Sequence, residues 1–356
     1  MSEPLRIGFI GAGKQAQAAH LRHFTALEDC RVVAIADADA AFAARVAKRF
    51  GIERSYGCTR DLLRNERLDG IVLTLPPMPA AERAITEVLR AGIPLLSEKP
   101  LALTPAAGDR LCAVARETGT PFAIGFHKRC DPATQAAMEA IAEFRRTGAV
   151  GRPTYLRIHV SLAGDWSANA YRGTIAAGAP PPHEAAPSAE YPGMTAEQIR
   201  RFYALAGGPG HQLDLMRHLA GAPFRLTYVD PSQILLAGRT ADGVPVAFEF
   251  TPYASTRDWI EEALVAFERG YVRLTLPPPL AIHVPGSVEI FRDGGAEGPA
   301  ERTQPVLRRE CAMEHQARHF LALIRGRPTP LCDAAQAREC LELARQWTLW
   351  PVEGIA

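Results

Sequence analysis

The stretch Leu5–Ala16, LRIGFIGAGKQA, constrains this chain more than any other. A short apolar run holding Ile7, Phe9 and Ile10 is cut by Gly11-Ala12-Gly13, and Ala16, Ala18 and Ala19 then recur with helical spacing. The reading is strand, tight turn, helix. The first glycine permits the turn, and the second lets a phosphate approach bare backbone. Ala16 replaces a third glycine, where a small side chain keeps helix and strand close. Free N–H groups and the positive end of a helix dipole then face an anion. The stretch predicts a seat for a dinucleotide pyrophosphate, bordered by Gly11, Gly13, Lys14, Gln15 and Ala16.

Strand and helix signals alternate through residue 128. Arg31–Ala36, Gly70–Leu75, Ile93–Ser97 and Pro121–Phe126 read as further strands. Ala38–Phe50, a short helix capped by Asp61, Ala80–Ala91 and Thr104–Thr118 read as helices. Such alternation implies an α/β fold with a parallel, doubly wound sheet, whose ligands gather at the carboxyl ends of its strands. Leu75 and Pro76 close the third strand at that edge and join the expected cofactor contacts. Asp37 ends the second strand, 21 residues after Ala16. A carboxylate there can accept hydrogen bonds from the adenosine ribose hydroxyls and would repel a 2′-phosphate, which favours NAD over NADP. The bland alternative is that Asp37 only starts the next helix.

Composition narrows the partners. The 356 residues suggest about two domains, and 47% hydrophobic residues allow a sizeable core. With 40 basic and 39 acidic residues, a nucleic-acid or acidic-membrane partner has no electrostatic support. No leader-like start and no run long enough to span a membrane is visible, and seven scattered cysteines include no Cys-x-x-Cys. The expectation is a cytoplasmic protein with reduced thiols. His315 and His319 are four apart, but no third metal ligand has useful spacing, so no metal site is expected.

The expected boundaries are a first domain over 1–127 and a second over 128–356. The second opens with a helix over 131–147 and a strand over 154–162. An insertion follows over 165–206, including a proline-rich loop over 176–193. Thr195 with Gln198 forms a capping-box pattern, and His211–Ala220 reads as an amphipathic helix. Strands over 225–237, 244–251, 260–268 and 271–276 read as antiparallel sheet. Residues 277–309 resist assignment, and helices over 310–325 and 333–347 are expected to pack back on the first domain.

Several residues suit chemistry. Lys99, in Glu98-Lys99-Pro100, sits at the end of a parallel strand, where its ammonium can polarise a carbonyl or an ionising hydroxyl. Glu98 could orient Lys99 or bind the nicotinamide ribose. His211 starts a helix after the break Gly207-Gly208-Pro209-Gly210 and could take a hydroxyl proton while hydride leaves the same carbon. Asp214, three residues on, could fix the His211 tautomer, or pair with His218. Lys128 or Arg129, after the fifth strand, could face substrate or cofactor. Trp166, Tyr171 and Arg172 suit a sugar ring, although a core role for Trp166 competes.

Taken together, GFIGAGKQA, AIADAD, SEKPLAL, GFHKRCDP and GHQLDLMRHLAG resemble the glucose–fructose oxidoreductase/inositol dehydrogenase (Gfo/Idh/MocA) family of NAD(P)-dependent oxidoreductases. ALVAFERGYVRLTLP resembles that family's sheet segment. The resemblance implies a Rossmann domain followed by an α/β domain with an open, mostly antiparallel sheet, and assembly as a homodimer or homotetramer. It implies Lys99 as the catalytic lysine and His211 as the proton-transfer histidine. Two positions depart from the family. Gly207 stands where an aspartate often precedes that histidine, and Pro76-Pro77-Met78-Pro79 lacks a frequent histidine.

The expected activity is an NAD-dependent dehydrogenase acting on a secondary alcohol of a sugar, polyol or similar polar ring. One rival is a glycosidase or lyase that recycles NAD through transient sugar oxidation. The other is a non-catalytic dinucleotide-binding sensor.

Overall fold

A computed structural model describes residues 3–178, 190–296 and 298–351. His183 and most of the proline-rich loop expected over 176–193 lie outside the described residues. The chain divides into two compact units, each drawn from three stretches of sequence. The first takes residues 1–126, 169–203 and 316–341; the second takes 127–168, 204–315 and 342–356.

The first unit is built on a parallel sheet of β1 (Leu5–Ile10), β2 (Cys30–Ala36), β3 (Arg54–Tyr56), β4 (Gly70–Leu73), β5 (Leu95–Ser97) and β6 (Phe122–Ile124). Their spatial order is β6-β5-β4-β1-β2-β3, so strand order reverses between β1 and β4. The glycine turn leaves the carboxyl end of β1 at this switch point, as the alternating pattern predicts. Ile7, Phe9, Ile35, Val72 and Leu96 are fully buried, which is why these strands read as unbroken apolar runs. Cys332–Asp333 adds a short antiparallel edge strand beside β6. Phe320, from the helix Ala312–Ile324, stacks edge-on against Phe24, 6.3 Å between ring centres. Gly70 makes room for that helix, since a Cβ there would lie 2.5 Å from Ile324 Cδ1.

The second unit carries an eight-stranded sheet. Its strands are β7 (Pro153–Ala163), β8 (Phe224–Val229), β9 (Leu235–Thr240), β10 (Pro245–Ala254), β11 (Glu261–Phe267), β12 (Gly270–Thr275), β13 (Ser287–Asp293) and β14 (Ala300–Thr303). The order is β14-β13-β12-β11-β7-β10-β9-β8, antiparallel except for the β7–β10 pair. Leu156, Ile158 and Val160 of β7 turn to the buried face. Phe144 of the helix Pro132–Thr147 packs edge-on against Phe267, 5.2 Å away.

Four local readings change. The single strand expected over 225–237 is two, because Asp230 closes a turn by accepting the Ser232 N–H and Gln233 takes φ +63°. Residues 277–309 contain β13 and β14. Strand β3 is too short and too exposed to show a pattern. Asp61 lies inside the first turn of the helix Thr59–Asn65, whose N-cap is Cys58. Thr195 and Gln198 do exchange both bonds of a capping box, 2.8 and 3.2 Å.

Candidate active site

In the first unit the glycine turn is shaped for close approach. Gly11 adopts φ +94°, and a Cβ there would meet Thr74 Oγ1 at 2.7 Å and Leu75 Cδ2 at 3.3 Å, so only glycine fits. A Cβ on Gly13 would meet nothing within 4 Å, leaving open space over the backbone. Ala16 is fully buried and holds the following helix close. Lys14 and Pro76 are exposed and Leu75 is half-buried beside the turn. Asp37 Oδ2 accepts the Ala12 N–H at 2.8 Å, and Oδ1 accepts the Asp39 N–H at 3.0 Å. The carboxylate is thereby fixed against the turn, with lone pairs left for a ribose. Open backbone over Gly13 with a fixed carboxylate beside it fits a dinucleotide.

At the end of β5, Glu98 is the centre of a polar network. Its Oε1 accepts from His20 Nε2 at 2.7 Å and from Gln15 Nε2 at 3.1 Å. Its Oε2 accepts the Lys99 N–H at 3.2 Å. Burial alone would raise the Glu98 carboxyl. The His20 hydrogen bond and charge, the Lys99 charge and the Gln15 amide outweigh burial and hold it at about 2. Glu98 is therefore an anion over the whole working range, with half-buried Lys99 next in sequence. The Lys99–Pro100 peptide is cis. Gln15 and His20 can share one carboxylate because Ala16–Leu21 is wound as a π-helix, which brings residues five apart onto one face. His20 attracts no notice in the sequence, since α-helical spacing would point it away from Gln15.

In the second unit His211 begins the helix Gly210–Ala220, and its ring meets that of His127 edge-on with centres 4.8 Å apart. His127, Lys128 and Arg129 are consecutive and all buried. Arg129 grips Asp214 with two hydrogen bonds, Nε to Oδ2 at 2.7 Å and Nη2 to Oδ1 at 2.5 Å. Both Asp214 oxygens thus accept from Arg129, a buried bidentate partner that the helical spacing of Asp214 does not point to. Lys128 pairs with Glu261 at the start of β11 and lies over the Trp259 ring at 5.4 Å. Burial lowers the Lys128 ammonium, against the opposing pull of Glu261. Gln212 Nε2 donates to the other Glu261 oxygen at 2.8 Å. A shallow open cleft is lined by His127, Lys128, Asp131 and Pro277–Pro279, among others.

The remaining candidates separate. Trp166 belongs to the second unit and is 44% exposed, so it is not a core residue. Tyr171 and Arg172 belong to the first unit. Tyr171 donates its hydroxyl to Gln15 Oε1 at 2.7 Å, which ties it to the Glu98 network, while Arg172 is exposed. A Cβ on Gly207 would meet nothing within 4 Å, so no crowding accounts for the missing aspartate. Glu261 was legible in principle. It shares the inward phase of Ala263, Val265 and Phe267, and an acid in an apolar phase signals a buried partner.

Comparison with known proteins follows this geometry. Residues 5–126 match the model of an oxidoreductase family with an NAD-binding Rossmann fold. That match is confined to the first-unit segment 5–126, and it identifies this segment as an NAD-binding Rossmann domain of that kind. An inositol 2-dehydrogenase of Rubrobacter xylanophilus is 34% identical over 161 residues, 44% of each chain. The chain spans less than half the length of the curated relatives it matches. Likeness in fold extends along nearly the whole chain. GenD2 from gentamicin A biosynthesis, solved with NAD, superposes with TM-score 0.68 at 21% identity, covering 97% of this chain and 93% of its own. A 3-ketoreductase from Actinomadura kijaniata, solved with NADP and TDP-benzene, gives 0.67 at 18% identity, covering 97% of each. Such distant likeness establishes the shared fold, and these two neighbours carry different dinucleotides.

Proposed function

We propose that the protein is an NAD-dependent dehydrogenase that oxidises a secondary alcohol of a sugar, polyol or related polar ring. The observation that carries this reading is the ionised Glu98, bonded to the Lys99 N–H, in the same unit as an open glycine turn and the Asp37 carboxylate. A parallel sheet has no structural need for a buried anion at its ligand-bearing edge. The dinucleotide would be held by the backbone of Gly11–Ala16, by Lys14 and Gln15, by Asp37, and by Leu75 and Pro76. When bound, its nicotinamide accepts a hydride. Lys99 polarises the substrate oxygen, and His211 takes the hydroxyl proton. Lys128, Trp166 and Arg172 serve the substrate. Asp214 serves it indirectly, by fixing the helix of His211 through Arg129. Asp37 disfavours a 2′-phosphate, which selects NAD over NADP.

The inositol dehydrogenase name of a 34% identical relative supports a polyol or sugar as substrate. Exposed Leu162, Tyr228, Leu235 and Tyr253 on the second sheet support a homodimer or homotetramer. No helix among the described residues is long and apolar enough to cross a membrane. A cytoplasmic location is part of the same proposal. The test is purified protein with NAD or NADP and a broad panel of sugars and polyols, followed by absorbance of the reduced cofactor. NAD reduction with at least one of them is expected. Lys99→Ala should lower kcat by about 10²–10⁴ without abolishing NADH binding. Protein that neither binds NAD(H) nor reduces it with any member of the panel overturns the reading.

A further inference from the structure

The glycine turn is tied to a segment far away in sequence. Gln17 is buried, and its Nε2 donates to Ala12 O at 2.9 Å and to Ile175 O at 3.0 Å. Its Oε1 accepts the Ile175 N–H at 2.8 Å. One side chain therefore couples the turn to residue 175. Tyr171 reaches Gln15 as described. The helix that follows Asp37, Ala40–Phe50, holds the same segment from its other side. Arg49 donates to Gly173 O, and Arg45 Nη2 donates to Ala176 O at 3.3 Å. A Cβ on Gly178 would lie 3.7 Å from Asp39 Oδ2. Residues 171–178 thus form a strap fastened to the helix after the glycine turn and to the helix after Asp37. These two helices flank the dinucleotide seat, and the space over Gly13 stays open.

We propose that this strap belongs to the cofactor site, that it slows dinucleotide release, and that Tyr171 is its positioning residue. Tyr171 stands among the expected substrate residues; its bond to Gln15 moves it to the cofactor side. The chemistry of the chain Tyr171–Gln15–Glu98 runs in one direction only. Glu98 is an anion and accepts, so Gln15 must present its amide N–H to it. That leaves the Gln15 carbonyl for Tyr171, which must donate. Burial raises the Tyr171 hydroxyl to about 12, and the Glu98 charge adds to the rise, so the donor keeps its proton. Loss of this one hydroxyl releases the Gln15 amide, one of the two side chains that bond Glu98 Oε1. It also unfastens the Tyr171 end of the strap. The inference rests on the dinucleotide reading above.

The experiment measures NADH release from the full-length protein by stopped-flow fluorescence, with NAD as the competing ligand. Tyr171→Phe should release NADH about three- to tenfold faster, the range for one hydrogen bond, with association unchanged. Gln15→Ala should do the same, and the double variant should be no faster than Gln15→Ala alone, because Tyr171 acts through Gln15. Arg49→Ala, an exposed position on the other fastening, should also speed release. Unchanged release in both Tyr171→Phe and Arg49→Ala overturns the strap, as does a double variant whose effects multiply. Wild-type protein that takes up no NADH removes the dinucleotide reading and the strap with it. Binding with release insensitive to these variants removes only the strap.

Discussion

Glu98→Gln isolates the anion at the end of β5. The carboxyl sits at about 2 rather than 4.5 because His20, Lys99 and Gln15 together outweigh burial. That displacement corresponds to about 3 kcal/mol of native-state preference for the ionised form. Glutamine keeps an acceptor for His20 and Gln15, but it turns an amide N–H₂ toward the Lys99 N–H, 3.2 Å away in the parent. The sign follows from a depressed carboxyl: the contribution is complete above the unfolded value of 4.5 and is lost as pH falls toward 2. E98Q should therefore be about 3 kcal/mol less stable than wild type at neutral pH, and the gap should close as pH falls below the unfolded value. Urea unfolding of both proteins in a buffer series from neutral to acid, read by far-UV circular dichroism, measures the gap directly. Equal stability at neutral pH, or a gap that stays constant through the acid range, would falsify the assignment of Glu98 as a stabilised anion.

Two further outcomes concern the second unit. Lys128→Met strands Glu261 as a buried charge and should cost about 3–5 kcal/mol, whereas Lys128→Met with Glu261→Leu should recover most of it in the same urea assay. Asp131 behaves in the opposite sense to Glu98: burial raises its carboxyl to about 6, against the Ala133 and Gly286 N–H groups, His315 and Lys128. A raised carboxyl penalises the native state above that value. Asp131→Asn should therefore be more stable than wild type at alkaline pH by up to about 3 kcal/mol. That advantage should fade as pH falls through 6 to 3.8.

What could be read from the amino acids followed locality. The glycine turn, Asp37 and the strand-end lysine each depend on neighbours within a few residues, and their spacing carries them. His20 was hidden for a different reason. Its relation to Gln15 depends on π winding, and the alanine-rich run Ala16–Ala19 gives no periodic signal of that winding. Tyr171 was hidden because its partner, Gln15, is 156 residues away. Nothing in an irregular stretch tells which surface will satisfy its backbone groups. For Asp214 the helical rule was sound but incomplete. Residues three apart on a helix can meet, yet a buried carboxylate takes the stronger bidentate partner, and Arg129 supplies it from another element.

The burial of three consecutive basic or titratable residues, His127-Lys128-Arg129, calls for more than a stability argument, since a buried ion pair contributes little net stability against an apolar pair of similar volume. Its use is geometric. Gln212 and Asp214 are bonded to Glu261 and Arg129 respectively, and residues two apart on an α-helix point about 200° from each other. Two tethers on nearly opposite sides prevent the helix Gly210–Ala220 from rolling, which a single tether or a greasy contact would allow. His211 is the residue between Gly210 and the first tether, and its ring is buttressed edge-on by His127. A proton acceptor loses most of its effectiveness when displaced by about 1 Å. In the proposed mechanism Arg129 and Lys128 are therefore positioning residues: through Asp214 and through Glu261 with Gln212 they hold the helix that carries His211.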